Sequence, residues 1–167
     1  MVAAWAAQNR VDVDKALLVA PSFGIASLDP SRYPLYANLL ARMPNRFEWW
    51  DPERKDERNG PTHAYAGYST RGIATLLHLS LIVQSAARRR APAARAITVF
   101  TNPSDEVVRN EVTAQVVENW RRNGASIHTH ECPADWKLIH DLMDVQQEEQ
   151  QVEIVYPELI ELMVGDA

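Results

Sequence analysis

The sequence predicts an α/β fold of about three parallel strands flanked by helices, interrupted by one long irregular insertion. Short continuous apolar runs recur, Ala16-Leu17-Leu18-Val19-Ala20 and Ala96-Ile97-Thr98-Val99-Phe100-Thr101, of the kind that fill strands covered on both faces. Helix-like segments alternate with these runs, and such alternation implies parallel strands joined by right-handed crossovers. Between the first run and the best helix lies the insertion, 28–68, which carries prolines at 30, 34, 44, 52 and 61 and no strong periodicity.

Taken in order, Val2 to Asn9 is Ala-rich with Trp5, a helix that starts without a capping residue ahead of it. The run Ala16 to Ala20 is the first strand, ended by Pro21, Ser22 and Gly24. The insertion reads as a lid or cap, because a long irregular excursion inside a compact domain is usually a binding or covering segment. Tyr33, Leu35, Leu39, Leu40, Phe47 and Trp49 give it something to bury, and the Trp49-Trp50 pair suits packing of the lid or the wall of an apolar acyl pocket. Ser69 to Arg90 is the clearest helix: Ile73, Leu76, Leu77, Ser80, Leu81 and Gln84 share a face, Ser69 caps the start, and Arg88-Arg89-Arg90 complements the C-terminal dipole. Ala96 to Thr101 is the second strand. After the turn Asn102-Pro103-Ser104, a helix follows, with Val108, Val112, Val116, Val117 and Trp120 inward and Asn123-Gly124 as its stop. Ser126 to Cys132 alternates, which suits a third strand near a sheet edge. The last helix is read over Glu158 to Val164 with Pro157 in its first turn.

The chain has 167 residues, 46% of them hydrophobic, enough for one core and a single domain over 1–167. Net charge is -5 and the basic residues are scattered, so no footprint for a nucleic-acid backbone is visible. No apolar stretch reaches membrane-spanning length and no signal peptide is apparent, so a cytoplasmic location is the expectation. The single cysteine, Cys132, forms no internal disulfide. No cofactor is implied.

In open α/β sheets ligands lie beyond the carboxyl ends of the strands. Asp105 follows the second strand and His140 the third, so neighbouring parallel strands would bring both to one edge. A carboxylate there can accept the Nδ1 proton of the imidazole and fix its tautomer for work as a base. Each residue also has a simpler reading: Asp105 as a cap opening the next helix, and His140 as a loop residue partnered by Asp141 or Asp144. His128, His130 and Cys132 alternate along one strand, but residues two apart are separated by about 6 to 7 Å, too far for three to converge readily on one metal ion. His63 and His78 read as lid and helix residues.

The stretches TNPSDEVV, holding Asp105, and LIHDLMD, holding His140, resemble the C-terminal part of serine esterases and lipases of the α/β-hydrolase family, in which the chain order is nucleophile, acid, histidine. AAWAAQNR followed by KALLVAPSFG is similar to the helix after the family's nucleophile elbow and the strand that follows it. The resemblance implies a partial α/β-hydrolase fold, with Asp105 and His140 as catalytic acid and base and 28–68 as the cap. It also implies a small-molecule ester as substrate if the domain is complete. The family's G-x-S-x-G elbow is absent from this sequence. Gly67-Tyr68-Ser69-Thr70-Arg71-Gly72 has its second glycine one place late and no strand before it, so Ser69 reads as a helix cap, while Ser22 lacks flanking glycines and a following helix. The expectation is a chain inactive alone. The strand 16–20 would expose an edge where its family neighbour is missing, open to self-association or to docking of a partner. The competing readings are a non-catalytic half-domain that works through that edge, and an unrelated doubly wound binding domain in which Asp105 and His140 are incidental.

Overall fold

A computed structural model describes residues 1–49, 53 and 65–165. Helix α1 (Val2–Asn9) leads into strand β1 (Lys15–Val19), and helix α2 (Tyr33–Arg42) and the short strands β2 (Phe47–Trp49) and β3 (Gly67–Ser69) follow. Then come α3 (Thr70–Ala87), β4 (Ala96–Thr101), α4 (Asn110–Arg122), β5 (Ile127–Glu131) and α5 (Val152–Val164). Strands β1, β4 and β5 form a parallel sheet in the order β1-β4-β5, with Lys15 opposite Ala96 and Ile97 opposite Ile127.

Both faces of this sheet are covered, which explains the continuous apolar runs. Ala16 and Leu18 of β1, Ile97 and Val99 of β4 and Ile127 of β5 join Ala4, Ala7, Leu77, Val83, Val116 and Trp120 in one core, and α1, α3 and α4 close that face. On the other face, Phe100 and Cys132 meet Leu138, Leu142, Val155 and Leu159, with α5 as the cover. Central β4 therefore buries four consecutive residues, Ile97 to Phe100, whereas edge strand β5 buries only Ile127. Trp120 is wholly buried, meets Phe23 edge-on at 6.0 Å and donates its indole N–H to Gln8 Oε1 at 2.6 Å. Each such large apolar side chain contributes about 1.5–3 kcal/mol on burial.

Five sequence expectations need correction, the first that no strand precedes Ser69: the short strand β3 ends on it. Segment 28–68 contains regular structure: α2, which packs on α3, and the antiparallel β2–β3 pair. Tyr33 and Ala37 anchor α2, while Leu35, Leu39, Phe47 and Trp49 remain exposed, and Trp50, His63 and prolines 52 and 61 lie outside the described residues. The first strand stops at Val19, because Ala20 has φ of +39°, a left-handed conformation that no strand continues through. Helix α4 begins at Asn110 with Arg109 as its N-cap, so Asp105 does not open it; Val108 instead bridges to Ile25. Helix α5 begins at Val152, which puts Pro157 inside it, because Val155 and Leu159 supply the buried face and outweigh the hydrogen bond that proline forgoes. The Ser69 hydroxyl accepts from Gly72 N–H at 3.0 Å as the cap of α3, and Gly124 takes φ of +91° after α4. No helix among the described residues is long and apolar enough to cross a membrane.

Candidate active site

Strand β4 delivers its chain to a tight turn at one end of the sheet. Asp105 N–H closes that turn on the Asn102 carbonyl at 3.2 Å, and Asp105 Oδ1 accepts from the N–H groups of Val107 (2.8 Å) and Val108 (3.0 Å). The local reason is a short acidic side chain after Pro-Ser, which binds backbone donors two and three residues on. With Oδ1 so occupied, Oδ2 is fixed toward the next strand's exit. There the chain leaving β5 turns through 134–136 and runs past the second core by burying Leu138 and Leu142, which places His140 between those two apolar anchors. His140 Nδ1 lies 2.7 Å from Asp105 Oδ2, with the Asp105 side chain fully buried and that of His140 27% exposed.

The structure thus brings together the two residues singled out in the sequence, 35 positions apart. The hydrogen bond that His140 donates to Asp105 raises the His140 pKa above its ordinary value; burial works against this, and the charges of Asp105 and Asp141 reinforce it. For Asp105, burial is the largest single influence and pushes its pKa up. The hydrogen bonds from His140, Val108 and Val107, with the His140 charge, together outweigh it and hold the carboxyl below its usual range. With Nδ1–H donated to the carboxylate, the neutral ring carries its lone pair on Nε2, the arrangement required of a general base.

His140 also lines a cleft of about 480 Å³ with Val19, Ala20, Leu142, Met143 and Val145. One wall is therefore the C-terminal end of β1, where ligands of open α/β sheets collect. Among the described residues no strand pairs with the other edge of β1. The loop that follows is tied to the Asp105 turn: Arg109 donates to the carbonyls of Ala26 (2.7 Å) and Leu28 (3.1 Å), and its N–H to that of Gly24 (3.0 Å).

The other candidates fall elsewhere. Ser69 is engaged as a cap, and no serine hydroxyl among the described residues is hydrogen-bonded to His140. Asp141 accepts from Gln147 rather than from His140. His128 is exposed, His130 stacks on Phe100 at 5.4 Å and lies 3.1 Å from Glu158, and Cys132 is buried; among the described residues no three His, Cys, Asp or Glu side chains cluster as metal ligands. Sequence reasoning gave Asn102 only a turn, yet its side chain is wholly buried and reaches the Leu138 carbonyl 36 positions on. An Asn-Pro pair at a strand end signals a turn, and no spacing rule tells where its amide points.

No protein-family model matches the chain, and no curated protein matches its sequence. Its backbone is similar to the crystal structure of Paleococcus ferrophilus monoacylglycerol lipase, with a TM-score of 0.63 and 14% sequence identity. The fold is hydrolase-like. The likeness covers 96% of this chain and 63% of the lipase, so the chain spans less than two thirds of that protein's length.

Proposed function

We propose that this chain supplies the acid and the histidine of a Ser-His-Asp site that hydrolyses small carboxylic esters by acyl transfer. The serine, on this reading, comes from outside these residues and stands beside the unpaired edge of β1. The observation that carries the reading is the 2.7 Å contact between Asp105 and an imidazole that borders a cleft at the strand ends. In the reaction, a serine oxygen bonds to the ester carbonyl carbon as its proton passes to His140 Nε2. Asp105 stabilises the resulting imidazolium. His140 then protonates the departing alkoxide as its bond to carbon breaks, and water repeats the sequence to release the acid. Proton transfer by a group so placed contributes about 10²–10⁴-fold. In this scheme α2 and the β2–β3 pair belong to the cover over the acyl chain.

A p-nitrophenyl ester assay and a fluorophosphonate probe test it. The 167-residue chain should show neither turnover nor labelling, whereas a longer chain carrying an in-frame G-x-S-x-G upstream should show both and lose turnover in His140→Ala. Labelling of Ser22 or Ser69 would overturn the missing nucleophile, and turnover that survives His140→Ala would overturn the esterase.

A second reading, a non-catalytic unit that self-associates or docks a partner, is favoured by the edge of β1, unpaired among the described residues, together with exposed apolar residues on two helices that contact the strand. Val2 of α1 is 72% exposed, and Ile160 and Val164 of α5 are 61% and 77% exposed. Such an edge is a template for another strand. Sedimentation should show association of the chain that weakens on Leu17→Lys; a monomer at millimolar concentration removes this reading.

A further inference from the structure

Asn102 stands at the end of β4, 1% exposed, and its side-chain amide uses both its donors and its acceptor. Nδ2 donates to the Leu138 carbonyl at 2.8 Å and to the Ile139 carbonyl at 3.3 Å, the two peptide groups just before His140. Oδ1 accepts from Ser104 N–H at 3.0 Å, immediately before Asp105, and lies 3.8 Å from Cys132 Sγ at the exit of β5. Its own carbonyl accepts from Asp105 N–H and from Asn110 Nδ2 at 2.7 Å. One side chain thus holds both loops, one on each side of the amide. Nothing else in the described hydrogen bonding joins the backbone at 138–139 to the turn at 102–105.

We propose that Asn102 is a positioning residue that sets the separation of the Asp105 carboxylate and the His140 imidazole by clamping their two loops together. The chemistry requires asparagine. A carboxylate at this position would face two carbonyl oxygens without a donor, and an aliphatic residue would leave those carbonyls and Ser104 N–H buried and unpaired. Distances within a proton-transfer pair are limiting, since N–H···O bonds span only about 2.7–3.2 Å, so a loop released by even an ångström takes the 2.7 Å contact out of that range. The catalytic use of this clamp rests on the esterase reading; the clamp does not, and its test needs no turnover.

The test is NMR titration of isotope-labelled His140 in the 167-residue chain. In the wild type the His140 midpoint should lie above that of Asp105→Asn, with a downfield Nδ1–H resonance. In Asn102→Ala, with folding verified by circular dichroism, the midpoint should fall to the Asp105→Asn value and the downfield signal should vanish. Val116→Ala, which loosens the core on the other face of the sheet, should lower the unfolding temperature and leave the His140 midpoint in place. A folded Asn102→Ala variant with an unchanged midpoint and Nδ1–H signal overturns the proposal. If Asn102→Ala does not fold, the wild-type chain decides: the Nδ2 protons should exchange with solvent as slowly as the β4 amides, and rapid exchange overturns the clamp. In a chain that holds the nucleophile and turns over esters, Asn102→Ala should lower kcat and leave KM nearly unchanged.

Discussion

Replacing Asp105 with asparagine keeps the side chain's shape and removes its charge, so the loss is confined to the contact with His140. The turn has the stronger hold on Oδ1, through two backbone N–H groups at 2.8 and 3.0 Å, so the new amide nitrogen faces the imidazole. A charge-assisted hydrogen bond contributes about 1.5–3 kcal/mol, and because His140 is 27% exposed the lower half of that range applies, about 2 kcal/mol. For a domain of this size that corresponds to about 4–8 °C in unfolding temperature. The deficit must also depend on pH. His140, whose pKa is raised by folding, contributes fully below its unfolded value of about 6.5 and loses that contribution as pH climbs through the folded value. Asp105, whose pKa is lowered, contributes above about 3.9 and loses that as pH falls through its folded value. The gap between wild type and Asp105→Asn should therefore be widest between about pH 4 and 6.5 and should shrink by pH 9, as followed by calorimetry at pH 5.5 and 9. An equal or larger gap at pH 9 would refute the ionic account of the pair. In a chain that holds the nucleophile, the variant should also lose about 10²–10⁴ in kcat: the asparagine NH₂ donates to Nδ1, the ring proton moves to Nε2, and no base faces the serine.

Burial pushes the Cys132 thiol up to about 11, so a disulfide reagent at pH 8 should modify it only as fast as the domain unfolds; prompt modification of the folded protein contradicts this. Ser69→Ala removes the cap of α3 and should cost about 1 kcal/mol in urea unfolding, while a nucleophilic role would instead show as loss of probe labelling with stability intact. Pro157→Ala should restore an N–H to the Glu153 carbonyl in α5. Against the roughly 3 kcal/mol propensity difference stands an entropic offset of about 0.4–1 kcal/mol, leaving a gain of about 2–2.6 kcal/mol in thermal unfolding. A lower midpoint would show that Pro157 serves packing.

The parallel sheet was readable because β1 and β4 sit between two cores, and a strand covered twice must be apolar at consecutive positions. Strand β5 was readable for the opposite reason: at the edge only Ile127 is buried, and the alternation says so. Helix α2 was obscured because its burial rests on Tyr33 and Ala37 alone while Leu35 and Leu39 face outward, so hydropathy does not trace its inner face. The start of α5 was misplaced because Pro157 looks like a first-turn residue and is held within the helix by Val155 and Leu159. The meeting of Asp105 and His140 follows from strand order and from the order of acid and histidine in the family that the sequence resembles. Asn102 did not, because a hydrogen bond over 36 positions leaves no periodic trace in the chain.

The strand pairings join parts of the chain that lie at different distances. Ile97 pairs with Ile127 across 30 positions, but Lys15 finds Ala96 only across 81. Closing the longer circuit costs about 0.9 kcal/mol more in chain entropy, from (3/2)RT ln(81/30). The β4–α4–β5 unit should therefore gather first during folding, bringing the acid and the imidazole together while the β1 wall of the cleft is still being recruited. A chain interrupted before β1 docks would hold the Asp105–His140 contact with no cleft beside it.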